Sequence, residues 1–109
     1  MKIIFLPEVL EYFNELSTIL YEEDYFGFEE DALNYVDRLL YDIKKDLDTC
    51  VQKPAPSYFD KYGARMSYAT FRSNKSTQWY IFFSKYKKDK EIVYLIRYIS
   101  NNHVMAQYL

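Results

Sequence analysis

Gln78–Tyr86 reads QWYIFFSKY, and this stretch decides the architecture. Apolar and aromatic residues fill both phases of a two-residue period, with Trp79, Ile81 and Phe83 on one face and Tyr80, Phe82 and Tyr86 on the other. A strand that is apolar on both faces belongs in the middle of a sheet, with helices over one side and a partly covered aromatic face opposite. Arg65–Arg72 and Glu91–Ile99 flank it with the same period and the same richness in Tyr, Phe, Ile and Val. The connectors, Ser73–Thr77 and Lys87–Lys90, are too short for crossovers, so consecutive strands are antiparallel neighbours.

Toward the N-terminus the period changes. Lys2–Leu6 reads as a short buried strand stopped at Pro7, a residue tolerated at the first helical position because its missing N–H would be unpaired there anyway. Val9, Leu10, Phe13, Leu16, Ile19 and Leu20 then recur at helical spacing, with Glu8, Glu11 and Glu15 on the other side. After a break at Tyr21–Gly27, a second stripe runs through Phe28, Ala32, Tyr35, Val36, Leu39, Leu40, Ile43 and Leu47. Glu29, Glu30 and Asp31 sit in its first turn and Lys44 and Lys45 late, as the helix dipole favours. Lys53–Gly63 carries Pro54 and Pro56, ends on glycine and reads as a loop. The order β-α-α-β-β-β predicts an α+β domain spanning 1–109, with a helical hairpin packed on one face of a mostly antiparallel sheet.

Charge is sorted along the same division. Residues 1–52 hold 13 acidic and 4 basic side chains, residues 53–109 hold 3 and 10, and the halves therefore carry −9 and +7 within a net charge of −2. That pattern suggests a basic working surface on an acidic scaffold, unless the halves simply neutralise each other across the fold. With only Gly27 and Gly63, the chain has no glycine-rich phosphate loop. Cys50, being single, allows no internal disulfide and no thiol metal framework, so a reducing cytoplasmic setting is expected. Met1–Leu6 is too short for a signal peptide or a membrane span. One histidine and one cysteine about fifty residues apart hold no metal, and no cofactor is expected.

Element order, size, the basic sheet half, the stretch FRSNKSTQWYIFF and the final YLIRYISNNHVMAQYL together resemble the RelE/ParE toxins of bacterial toxin–antitoxin operons. The resemblance covers nearly the whole chain, although none of these segments is a rigid motif. It implies a small cytoplasmic toxin held inactive by a cognate antitoxin that wraps its surface. The RelE branch cuts messenger RNA on the ribosome; the ParE branch poisons DNA gyrase. No membrane partner is expected.

Cutting RNA without a metal needs a group to exchange protons with the 2′-hydroxyl and leaving oxygen, and cations at the phosphate. His103, the single histidine, is the proton-transfer candidate, standing where the family places a His or Arg. Arg72 and Lys75 flank a turn between strands and are the phosphate candidates, since arginine's planar fork matches phosphate oxygens in pairs. Tyr108 matches the family's terminal tyrosine. Lys61, Arg65, Tyr80, Lys85 and Lys87 are expected to bind RNA, the lysines as bulk charge near a hairpin tip. Turn and tip charges are also often merely solvated, and Arg65 is equally suited to pair with the acidic hairpin. Arg97, read as sharing a face with Val93, Leu95 and Ile99, is expected to pair at the core edge rather than catalyse. Trp79 is expected in the core. Tyr80 stands where many RNA-cutting relatives carry a strand arginine, a departure that leans toward the gyrase-binding alternative.

Overall fold

The structure, a computed structural model, describes residues 1–23, 26–73 and 76–105. It is α+β: β1 (Lys2–Phe5), α1 (Pro7–Glu22), α2 (Glu29–Asp46), β2 (Lys53–Pro54), a 3₁₀ helix (Ser57–Tyr62), β3 (Ser67–Arg72), β4 (Gln78–Lys88), β5 (Glu91–Asn101) and a short α3 (Asn102–Met105). The five strands form one sheet in the order β1-β5-β4-β3-β2, with β1 parallel to β5 and the remaining pairs antiparallel. Among the described residues no helix is long and apolar enough to cross a membrane.

The helical hairpin covers one face. Val9, Phe13 and Leu16 of α1, with Val36, Leu39 and Ile43 of α2, close on Ala69, Phe71, Trp79, Ile81, Phe83, Tyr94, Ile96 and Ile99. Each fully buried large side chain contributes roughly 1.5–3 kcal/mol, which is why the helices stay on this face despite their charged outer surfaces. Pro7 occupies the first turn of α1, as expected from its missing donor.

The opposite face carries a smaller core of its own. Phe59, Met66 and Phe82 are buried there, and Phe59 stacks on Phe82 with centroids 4.4 Å apart. Tyr62 lies flat on Tyr98 at 3.8 Å. Residues three apart eclipse on a 3₁₀ helix, so Phe59 and Tyr62 both point at the sheet. Lys53–Gly63 is therefore not a simple loop but a two-residue strand followed by an aromatic clamp.

Two expectations need correction. The second hairpin turn is shorter than Lys87–Lys90: the strands run to Lys88 and from Glu91, and Asp89 (φ 50°) and Lys90 (φ 70°) alone make the turn. Two consecutive left-handed residues match the twist of a two-residue hairpin. The face assignment at the end of β5 also changes. Phe82 pairs with Tyr98 but Phe83 with Ile96, so Arg97 is an extra residue that shifts the phase. Ile99 consequently joins Tyr94 and Ile96 under the helices, and Arg97 stays with Tyr98 on the other side. Arg97 donates from Nε to Ser84 Oγ at 2.8 Å and from Nη2 to the Tyr86 hydroxyl at 3.1 Å. Its partners are hydroxyls, not the expected carboxylate.

Ion pairs among the described residues are Arg38–Asp42 within α2 and the amino terminus with Glu91. Neither joins the acidic helices to the basic strands.

Candidate functional site

Register, not sequence proximity, assembles the end of the sheet where β3 turns into β4. Arg72 lies directly opposite Gln78, and Trp79 opposite Asn101, so Arg72, Gln78 and the start of α3 stand side by side. The Arg72 Nη2 donates to Gln78 Oε1 at 3.4 Å, and Gln78 Nε2 donates to the Tyr80 hydroxyl at 3.4 Å. Asn102 clamps the turn from both sides of its carboxamide. Its Oδ1 accepts from the Gln78 backbone N–H at 2.9 Å and its Nδ2 donates to the Ser76 carbonyl at 3.0 Å. These groups line a depression of about 150 Å³.

Next to it, sharing Gln78 and Tyr80, lies a second depression of about 360 Å³ lined by Val51, Lys53, Tyr68 and Thr70. The Tyr68 and Tyr80 rings are 6.0 Å apart. Together the two form a shallow trough across β2, β3 and β4 on the face away from the hairpin, with a guanidinium at one end and tyrosine rings beside it. Enclosed small-molecule sites run to roughly 300–1,000 Å³ and bury most of the ligand. An open trough of cation and aromatic rings suits a segment of polymer instead.

His103 stands at the same end of the sheet but faces the hairpin. Its Nε2 lies 3.4 Å from Thr77 Oγ1, and its backbone N–H donates to Asn101 Oδ1 at 3.0 Å. The cavity it lines, about 340 Å³, is walled by Tyr12, Leu16, Phe26, Tyr35 and Trp79. Thr77 is common to this cavity and to the Arg72 depression. Imidazole and guanidinium therefore flank one threonine from two sides.

The remaining candidates separate. Arg65 sits in an exposed turn with φ 54°, ahead of β3 rather than within it, and among the described residues forms no ion pair with the acidic hairpin. Lys85 and Lys87 belong to the far half of β4; seven residues of strand place Lys85 about 23 Å from Gln78. Lys85 lies over the Tyr94 ring at 5.4 Å, on the helix side. Lys61 lies over the Tyr58 ring at 4.2 Å and borders a groove along β5. Lys75 and Tyr108 lie outside the described residues. Trp79 is fully buried and donates its indole N–H to the Tyr35 hydroxyl at 2.9 Å.

Gln78, Thr77 and Asn102 carry the geometry of this end, and the sequence reading passed over them. Their signal was present as a polar TQ pair entering a strand and an NN pair leaving one, both cues for side-chain-to-backbone bonding.

Protonation follows burial. Burial, reinforced by a hydrogen bond with Tyr62, pushes the Tyr98 phenol up to about 12. Burial, with Tyr35 and Glu23 nearby, also raises Tyr12. The hydrogen bond from Arg97 lowers Tyr86. Burial raises the Cys50 thiol, which donates to the Leu47 carbonyl, so it is no activated nucleophile. Among the described residues no three His, Cys, Asp or Glu side chains are placed to hold a metal ion. No family model matches this chain, and no curated protein or solved structure gives a significant match.

Proposed function

We propose that this protein is the cytoplasmic toxin of a toxin–antitoxin pair and cuts messenger RNA, on the ribosome, by attack of a 2′-hydroxyl on the adjoining phosphate. The observation that carries this reading is the trough ending at Arg72, with His103 just beyond Thr77. Tyr68 and Tyr80 stack a base, Arg72 and Lys75 hold the phosphate, and His103 exchanges the protons. Tyr108 adds a stacking ring at the tail, and the antitoxin covers the protein in the resting cell.

The test is inducible expression of the chain beside its His103→Ala and Arg72→Ala forms, with growth and transcript ends followed together. Loss of proton transfer costs about 10²–10⁴-fold in cleavage. Unchanged cleavage in both variants removes these roles.

One feature favours a second reading. The ring at the centre of the trough is Tyr80, where an RNA-cutting relative would carry a cation, and His103 opens onto a separate cavity under the hairpin, away from the trough. A non-catalytic toxin that binds DNA gyrase fits that chemistry. Broken DNA and a damage response, with transcripts intact, is its signature.

A further inference from the structure

β1 stops at Phe5, and its last ladder bond runs from the Leu6 N–H to the Ile96 carbonyl at 3.0 Å. β5 continues for five more residues, Arg97–Asn101, with β4 on one side and, among the described residues, no strand on the other. That leaves an open edge about 17 Å long. A groove of about 600 Å³ runs along it. Its two walls differ in chemistry. The α1 side presents Leu6, Val9 and Tyr12, with Glu8 at the start of the helix; the 3₁₀ side presents Lys61, Tyr62 and Arg97.

We infer that this edge takes an extended peptide of alternating apolar and acidic residues, added to the sheet as a sixth strand. Side chains of an incoming strand point alternately to the two walls, so main-chain bonding supplies attachment and the alternation supplies selection. Arg97 provides the electrostatic half. Its described partners are the neutral hydroxyls of Ser84 and Tyr86, and among the described residues it pairs with no carboxylate. A guanidinium has five N–H donors, so those two bonds leave donors for an incoming carboxylate. The Lys61 ammonium, over the Tyr58 and Tyr62 rings, adds a second positive charge on the same wall. Glu8 disfavours acidic side chains on the α1 wall and so fixes which phase is apolar.

A second copy of this chain is a poor occupant. Pairing two β5 edges brings like charges together at Arg97, and a bulge with a charged side chain is a common guard against self-pairing. The guard does not act against an acidic strand.

The probe is an N-acetylated, C-amidated heptapeptide of alternating valine and glutamate, added to the full chain without RNA. Binding is followed by calorimetry and located by amide hydrogen exchange. The expected result is binding with new protection across Arg97–Asn101, weakened about tenfold by Arg97→Gln and by replacing every glutamate with lysine. The lysine peptide keeps the test valid should Arg97→Gln fail to fold. Absent binding, equal binding of the two peptides, protection instead at the free edge of β3 (Ala69–Arg72), or self-association through β5 would each overturn the inference. Cleavage plays no part in these readouts, so they stand or fall independently of the nuclease reading.

Discussion

Tyr35→Phe removes one oxygen from the protein, and the consequence is calculable from what that oxygen holds. The Tyr35 hydroxyl accepts the indole N–H of Trp79 at 2.9 Å and is also hydrogen-bonded to Ser73 Oγ. Trp79 is 1% exposed, so without the hydroxyl its N–H is a buried donor with nothing to bond. An orphaned donor costs roughly 1–3 kcal/mol, more than the net worth of the bond itself, because the desolvation remains unrelieved. Water entering from the adjoining cavity, about 340 Å³ and lined by both residues, would reduce that cost. Leu16, Ile19, Leu20 and Phe26 give such a water no partner while Glu23, Thr77 and Asn101 on the same walls offer some, so a loss of about 2 kcal/mol, in the middle of that range, is expected. At this chain length that lowers the melting temperature by about 8 °C. Trp79 is the single tryptophan, which makes urea unfolding followed by its fluorescence a direct assay. The double variant with Trp79→Phe, followed like the Trp79→Phe single by circular dichroism because both lack tryptophan, should cost less than the two single changes added together, since the second substitution removes the stranded donor. A Tyr35→Phe loss below about 0.5 kcal/mol, or strict additivity in the cycle, would show that this bond does not tie α2 to the β3–β4 end.

Other substitutions test other parts of the fold. Gly63→Ala would set a Cβ 2.6 Å from Arg97 Cδ and 3.1 Å from Met66 Sδ. Arg97 cannot swing aside without losing Ser84 and Tyr86, so an overpacking loss of about 1–3 kcal/mol in denaturant unfolding is expected. Lys90→Gly should stabilise by about 1 kcal/mol, because the residue holds φ 70° without needing its side chain; an unchanged unfolding midpoint would count against it. Tyr98 gives a pH signature. Its folded pKa lies near 12, above the ordinary 10.0, so the fold favours the neutral phenol. That contribution is complete below pH 10, falls as the unfolded chain ionises, and is gone above pH 12. Alkaline unfolding should therefore be shallower between these values in Tyr98→Phe, and an identical profile would contradict the assignment.

The sheet and the helical hairpin were readable because burial imposes periods. A run apolar in both phases had to be central, and two amphipathic stripes had to share one of its faces. The 3₁₀ clamp was hidden because Pro54 and Pro56 mark a loop, while only Phe59 and Tyr62, three apart, hint that the segment turns back onto the sheet. The face of Ile99, expected beside Arg97, was misread for a related reason. A strand read at period two carries its phase unbroken, and a single bulged residue exchanges the faces of everything after it.

The same physics decides which functional candidates gather. Charges adjacent in sequence at a hairpin tip stay adjacent in space, which is why Lys85 and Lys87 remain together and also why they stay far from Arg72. Arg72 and His103 come to the same end of the sheet only because β3 pairs with β4 and β4 with β5 in one particular register, a long-range fact that no local spacing encodes. Thr77 then divides them, with guanidinium on the trough side and imidazole on the hairpin side. A phosphate held by Arg72 reaches the imidazole only across that threonine. Thr77→Val, which keeps the shape and removes the hydroxyl, thus probes whether the two act on one substrate: cleavage should fall while binding of RNA in the trough persists. Equal loss of both would place Thr77 in binding alone and leave His103 without a route to the reacting oxygen.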